Sequence, residues 1–302
     1  MQLKPSALAG WTLFLLLMFL TVFYEIAGLG ISNDGGNLSY LILGLTELLV
    51  FLGPTVFLKR YRPLHGLVSL RAKKVPRAKL SFVVCTSFAI MFLSFLFNCL
   101  CMPGKTPSGL GGYYPLRTGL GSGTVGLAIV TLAVIPAIAQ ELFMRGAILS
   151  LYEKRGVVTA LIMSSVSYAM LHSSPEILLP TLAAGFGYGF LLLSTESIYA
   201  SIFAHLLGNL YSVVITLLSA RYTYGVFWQY FIAGNVVAFF LFAYLSVRIM
   251  RNLVREEDFD LPDKGQGTLT ENLKGAANTT GFVLFCTLFL VRLALTLVKA
   301  ML

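Results

Sequence analysis

The sequence predicts an all-α protein, a polytopic membrane helical bundle with about eight or nine transmembrane helices. Hydrophobic residues make up 57% of the 302 residues and charged residues only 12%. Because a soluble globular chain carries roughly 25% charged residues, this composition is typical of a protein buried in a bilayer. The mean hydropathy of +0.82 agrees with that class. Long apolar runs between short polar turns are the third observation, since about 20 apolar residues span the hydrocarbon core as a helix.

The apolar runs continue along the chain and predict a single transmembrane domain, residues 1–302. The length of the first run favours a retained spanning helix over a cleavable signal segment. The predicted spans are residues 8–31, 38–58, 80–102, 124–152, 157–172, 177–193, 198–218, 227–250 and 281–298.

Basic residues collect between the second and third spans. Residues 59–79 contain eight Lys and Arg residues and no acid. Cytoplasmic loops carry such an excess, so we expect this segment, residues 153–155, residues 251–280 and the N-terminus to be cytoplasmic. A bacterial plasma membrane suits the modest loops. The net charge of +9 therefore indicates attraction to lipid headgroups and not a nucleic-acid partner.

One stretch places Gln140, Glu141 and Arg145 in an otherwise apolar run, just after Pro136, which predicts a kink or break in the helix. A charged side chain in hydrocarbon costs about 2.5–3.5 kcal/mol on insertion scales, so it needs a partner or a function. Glu141 and Arg145 are four residues apart and share one helical face, whereas Gln140 lies about 100° away. A structural ion pair and a catalytic site both remain open from this stretch alone.

Two of the three histidines also lie in predicted spans. His172 follows Tyr168 by four residues and His205 precedes Asn209 by four, so each pair shares a helical face. A lone membrane histidine is usually a hydrogen-bonded packing residue. Two histidines on separate helices, together with an amide and an acid–arginine helix, favour a hydrolytic site.

Such a set of side chains can hydrolyse a peptide bond without a covalent intermediate. A carboxylate and an imidazole that hold one water form a general base, and a second imidazole with an amide stabilises the oxyanion. A serine nucleophile, Ser165 or Ser167, is an alternative that no Gly-x-Ser-x-Gly elbow supports. Two histidines and a carboxylate could also hold zinc, although no His-Glu-x-x-His pair is present. Activity without a cofactor is favoured over zinc.

The first motif contains Gln140, Glu141 and Arg145, the second Tyr168 and His172, and the third His205 and Asn209. Together they resemble the three motifs of the CPBP family, which includes the type II CAAX prenyl endopeptidases and the bacteriocin-immunity (Abi) proteins. The usual forms in that family are Glu-Glu-x-x-x-Arg, Phe-x-x-x-His and His-x-x-x-Asn/Asp. The resemblance covers about residues 122–219, which would form the catalytic core. The corresponding residues here are Gln140-Glu141-x-x-x-Arg145, Tyr168-x-x-x-His172 and His205-x-x-x-Asn209.

The resemblance implies an intramembrane endopeptidase that acts without a metal on a membrane-associated peptide or protein, of which a prenylated one is an example. It implies that the positions of Gln140 and His172 activate water. His205 and Asn209 would form the oxyanion hole, and Glu141 with Arg145 would support the site.

The carboxamide of Gln140 departs from this pattern, because it cannot accept a proton as the usual Glu does. It would lower general-base power by about 10²–10⁴-fold. Three explanations remain open: an engineered isosteric change, a natural inactive homologue that serves as a binding or immunity protein, or replacement by Glu141, which its helical position disfavours. If the site lacks its base, Gln140→Glu restores cleavage and His172→Ala abolishes it again.

The remaining polar residues receive weaker assignments. Glu47 lies within the second span and is a functional candidate, although a buried, hydrogen-bonded acid is its favoured role. A proton- or ion-coupled transporter that uses Glu47, Glu141 and Arg145 is a third function class, against which no matching broken spans occur in two halves. His65 is predicted to be a surface histidine, and the four cysteines match no zinc spacing.

Overall fold

Long apolar segments fold into helices because a helix satisfies its own backbone hydrogen bonds in a medium without water. The computed structural model describes residues 4–30, 37–60, 66–103, 107, 122–256 and 267–301, so His65 lies outside the described residues. The α-helices in these ranges are α1 (Pro5–Gly30), α2 (Asn37–Glu47), α3 (Gly53–Arg60), α4 (Leu80–Cys101), α5 (Ser122–Ile129), α6 (Ile135–Glu141), α7 (Leu149–Glu153), α8 (Val157–His172), α9 (Pro175–Thr195), α10 (Ile198–Arg221), α11 (Val226–Arg255), α12 (Leu269–Ala277) and α13 (Thr280–Met301).

The predicted helix count is confirmed. Within the described residues, eight helices or joined helices are long and apolar enough to cross a membrane, and α8 is a shorter apolar helix of 16 residues. Large apolar side chains point outward from α11, where Val237 is 69% exposed and Phe240 is 66% exposed. This apolar surface fits acyl chains, and the protein is therefore a multi-pass membrane protein with an all-α fold.

Helix packing brings distant parts of the chain together. α1 packs against α13, α4 lies between α9 and α11, and α8 packs against α9. The prediction of one domain over residues 1–302, with a catalytic core at about 122–219, stays a prediction.

Two of the joined helices widen just before a proline. A π-helical turn, Leu48–Leu52, connects α2 with α3 and precedes Pro54, and a second, Val130–Val134, connects α5 with α6 and precedes Pro136. Proline lacks the N–H that an α-helix requires, so the wider turn accommodates it without ending the helix. The predicted break at Pro136 is thus a local widening. A third π-helical turn, Leu142–Ile148, connects α6 with α7.

The segments predicted to be cytoplasmic meet at one end of the bundle. Arg71 forms an ion pair of 2.5 Å with Glu153, and Arg155 Nε donates a hydrogen bond of 3.1 Å to Ser6 Oγ. The N-terminus, the basic segment and the turn after α7 therefore share a face, and α12 packs beside them on α8.

The described parts of residues 251–280, namely 251–256 and 267–280, are more helical than the predicted loop. α11 continues to Arg255, because its last side chains are polar enough to leave the apolar layer. α12 then begins at a capping box, in which the Thr268 hydroxyl accepts a hydrogen bond from the backbone N–H of Glu271 and the Glu271 carboxylate accepts one from the N–H of Thr268. This hydrogen bond from the Thr268 backbone lowers the pKa of the Glu271 carboxyl.

Close contact between α8 and α9 depends on a glycine. A Cβ atom at Gly185 would lie 3.2 Å from Ser165 Cα and 3.3 Å from the Ser165 carbonyl oxygen. Backbone atoms cannot rotate away as a side chain can, so the two helices would have to separate.

We predict that Gly185→Leu destabilises the bundle by about 1–3 kcal/mol, the usual penalty of overpacking. Gly234→Leu is the matched control, because a Cβ atom at Gly234 meets no atom within 4 Å. Thermal unfolding in detergent should show a lower Tm for the first variant and an unchanged Tm for the second. Equal Tm values for both variants would contradict the packing argument.

Candidate active site

The described helices surround a partly open cavity of about 250 Å³. Most of its wall is apolar and comes from α4, α9 and α10, which suits a hydrophobic ligand. Several polar side chains also line it, namely Glu47, Ser94, Asn98, Thr131, Gln140, Tyr168, His172, Thr181, Tyr188, His205, Asn209, Tyr211, Ser212 and Arg292.

Gln140 reaches the cavity from the last turn of α6 and is 8% exposed. Its Nε2 donates a hydrogen bond of 3.1 Å to Glu47 Oε2 at the end of α2. Its Oε1 is buried and accepts no hydrogen bond from the part of the chain that the structure describes. The carboxamide therefore presents an unsatisfied acceptor beside a carboxylate.

Glu141 lies behind the cavity wall and holds His205 in one tautomer. The carboxylate is fully buried, and its Oε1 lies 2.9 Å from His205 Nδ1. Because a carboxylate can only accept, Nδ1 carries the proton. In the neutral ring, His205 Nε2 is then an acceptor for the Tyr168 hydroxyl, 3.3 Å away.

Arg145 extends the same network to α8 and α9. Its Nε lies 3.2 Å from Glu141 Oε2, so the pairing predicted from the spacing of four residues is present. Its Nη2 donates a hydrogen bond of 2.9 Å to the Gly185 carbonyl, and the guanidinium lies 4.6 Å from the centroid of the Tyr168 ring. The side chain is fully buried, so this cation is held by one carboxylate, one carbonyl and an aromatic face.

His172 is the last residue of α8 and points its ring into the cavity. Its Nδ1 donates a hydrogen bond of 2.9 Å to the backbone carbonyl of Tyr168, which leaves Nε2 as the acceptor of the neutral ring. The Tyr168 and His172 rings meet edge to face with centroids 4.8 Å apart. The aromatic residue therefore fixes the direction of the imidazole.

Asn209 lies one turn after His205 on α10, and both side chains line the cavity. The Asn209 Nδ2 donates a long hydrogen bond of 3.4 Å to the Ala133 carbonyl in the second π-helical turn. The amide is thus directed into the space between α6 and α10.

The structure brings together the residues that the sequence singled out. Four of them line the cavity, and Glu141 and Arg145 stand behind it as a charged support. The four are Gln140, His172, His205 and Asn209. Their catalytic roles stay predictions.

Ser165 and Ser167, the alternative nucleophiles, are fully buried and are not among the cavity-lining residues. Within the described ranges, no three His, Cys, Asp or Glu side chains are arranged to hold a metal ion.

Sequence reasoning missed two residues at this site. Tyr188 stacks on His205 with centroids 5.0 Å apart and an interplanar angle of 15°. No charge or motif marks it, so sequence could not have identified it. Arg292 lines the cavity from α13. An arginine in an apolar span is itself a signal of function, but Arg292 lies far outside the family-like segment.

We predict that the Glu141–Arg145 pair is energetically coupled. Glu141→Gln and Arg145→Gln should each cost about 3–5 kcal/mol, because each leaves an uncompensated buried group. The double variant should lose less than the sum of the two by about 0.5–3 kcal/mol. The measurement is the free energy of unfolding in mixed SDS and mild detergent micelles.

The control is the same cycle on Lys73 and Glu196, an exposed pair 3.3 Å apart whose coupling should be about 0.2–1 kcal/mol. Additive losses at Glu141 and Arg145 would contradict the proposed support of the site.

Comparisons with known proteins agree with the motifs. Residues 122–211 match the family model described as "Type II CAAX prenyl endopeptidase Rce1-like". The chain is also 35% identical over 98 residues to the "Putative membrane peptidase YdiL" of Bacillus subtilis (strain 168), a match that covers 32% of this chain and 40% of that relative. No solved structure matches the chain. The resemblance read from the three motifs is therefore confirmed: residues 122–211 are similar to the type II CAAX prenyl endopeptidases of the Rce1-like family.

Proposed function

We propose that this protein is an intramembrane endopeptidase that hydrolyses a peptide bond in a membrane-associated peptide or protein. One observation carries the proposal: imidazoles from α8 and α10 and an amide from α10 converge on one cavity inside the bundle. The cavity is mainly apolar, so a peptide segment can enter from the bilayer without losing its apolar surroundings.

In the proposed reaction, His172 and a carboxylate withdraw a proton from a water molecule, which attacks the scissile carbonyl. The oxyanion that forms accepts hydrogen bonds from His205 and Asn209. His205 must then be an imidazolium, because its Nδ1–H already donates to Glu141 and only a protonated Nε2 can donate to substrate. Glu141 fixes the direction of this ring, and Arg145 keeps Glu141 in place.

The proposed reaction uses no bound metal, because proton transfer to a carboxylate–imidazole pair is sufficient to activate water. The proposed partners are an apolar or lipidated peptide and the lipid bilayer, with no nucleic acid. Prenylated substrates belong to this proposal because the matching family model describes prenyl endopeptidases.

A second candidate is a non-catalytic membrane binding or immunity protein on the same scaffold. The observation that favours it is Gln140, a neutral amide at the position where the family motif has a general-base carboxylate. Such a protein would bind its partner in the cavity and would not need His172 as a proton acceptor.

We predict that the protein in liposomes cleaves at least one of three probes: an internally quenched farnesylated CAAX peptide, its unprenylated twin, or a library of apolar peptides read by mass spectrometry. His172→Ala should lower the rate by about 10²-fold or more. Glu176→Gln is the control, because Glu176 is an exposed residue on α9 that does not line the cavity. Binding of a probe without cleavage, unchanged by His172→Ala, would favour the second candidate.

We also propose that the membrane is a bacterial plasma membrane and that the basic end of the bundle is cytoplasmic. In a chain whose four cysteines are replaced by Ala, we predict that Lys74→Cys reacts with an impermeant maleimide only in inverted vesicles. Tyr224→Cys, in the turn between α10 and α11, should react in intact cells. The opposite labelling pattern would reverse the proposed orientation.

A further inference from the structure

We propose that Glu47 supplies the general-base carboxylate of this site and that Gln140 positions it, an inference that rests on the proposed function. The carboxylate that the motif lacks at position 140 would thus come from a different helix. Glu47 lies outside the segment that matches the family model, so no motif assigns it this role.

The first support is direct contact. Gln140 Nε2 and Glu47 Oε2 are 3.1 Å apart, although 93 residues separate the two in sequence. Gly44, one turn before Glu47, allows α2 to approach: a Cβ atom there would lie 3.1 Å from Ile135 Cδ1 and 3.4 Å from the Thr131 side chain. The lack of a side chain at Gly44 therefore lets α2 bring Glu47 into contact with Gln140 on α6.

The second support is chemical complementarity. A carboxylate at position 140 would face Glu47 at hydrogen-bond distance, and two carboxylates so close must share a proton. An amide at position 140 instead donates an N–H to Glu47, so the two side chains share no proton. The Gln at this position and the carboxylate that faces it therefore form one unit with a single titratable group.

The third support is access to the reaction space. Among the described residues that line the cavity, Glu47 is the acidic one, and it shares the cavity with His172, His205 and Asn209. Glu141 is fully buried, does not line the cavity and is held by Arg145 and His205, so a water in the cavity does not reach its carboxylate. The Oε1 of Gln140 provides a buried acceptor that can hold the second hydrogen of that water.

The proposed step is balanced in atoms and charge. Water gives one proton to Glu47, and its oxygen forms a bond to the carbonyl carbon, whose oxygen becomes the oxyanion. Collapse of this intermediate breaks the C–N bond, and the proton on Glu47 passes to the leaving amine. The products are a carboxylic acid and an amine, and Glu47 returns to its ionised form.

Exchange of the two side chains tests the proposal. With the three probes named above and the protein in liposomes, Glu47→Gln should lower the cleavage rate by about 10²–10⁴-fold, whereas Glu176→Gln, an exposed acid on α9, should leave it unchanged. The swapped variant, Glu47→Gln with Gln140→Glu, keeps one acid and one amide in contact. It should recover cleavage to within about 10-fold of the original chain, since the base returns to the opposite side of the pair.

The outcomes separate this inference from the function on which it rests. If Glu47→Gln cleaves as fast as the original chain, Glu47 is not the base. If the original chain is inactive but Gln140→Glu is active with or without Glu47, the peptidase stands, the sequence-based expectation of a weakened site is correct, and Glu47 has no catalytic role. If no variant cleaves any probe, the proposed function itself fails. The Tm of each variant and the recovery in the swapped variant distinguish loss of the base from loss of the fold.

Discussion

The buried contact between Glu141, Arg145 and His205 is the constraint on which the rest of the site depends. An ionised carboxylate and a guanidinium inside a bilayer are tolerated only as a pair with further hydrogen bonds. Here those bonds come from an imidazole on α10 and a carbonyl on α9. The same contacts that neutralise the charges therefore fix three helices around the cavity and set the tautomer of His205.

Irregular helices carry two of the acidic residues of this region, Glu47 and Glu141. Glu47 and Glu141 each stand immediately before a π-helical turn, and Pro54 and Pro136 each follow one. A π-helical turn changes the angular position of every later residue on the helix, so a regular 3.6-residue period does not describe these spans. The glycine contacts at Gly44 and Gly185 then bring the neighbouring helices close enough for polar side chains to meet.

Much of this arrangement could be predicted from the sequence, because membrane spans and charged pairs are local signals. Apolar run length predicts the helices, and spacing of four residues predicts the contact of Glu141 with Arg145 and of Tyr168 with His172. The contact between Gln140 and Glu47 could not be predicted, since it joins two helices whose mutual rotation depends on π-helical turns and a glycine. The stacking of Tyr188 on His205 could not be predicted either, because nothing in the sequence distinguishes this tyrosine from other aromatic residues in apolar helices.

In the proposed mechanism, the position of the carboxylate matters more than its place in a motif. Hydrolysis requires an acceptor within hydrogen-bond reach of water and an oxyanion site opposite it, and neither requirement specifies which helix supplies the acceptor. A Gln at the motif position is therefore compatible with an active site if the facing helix carries an acid, and Glu47 is such an acid. Moving the base to α2 would also make activity depend on packing between α2 and α6, since separation of these helices would remove the base while the family-like segment stayed intact.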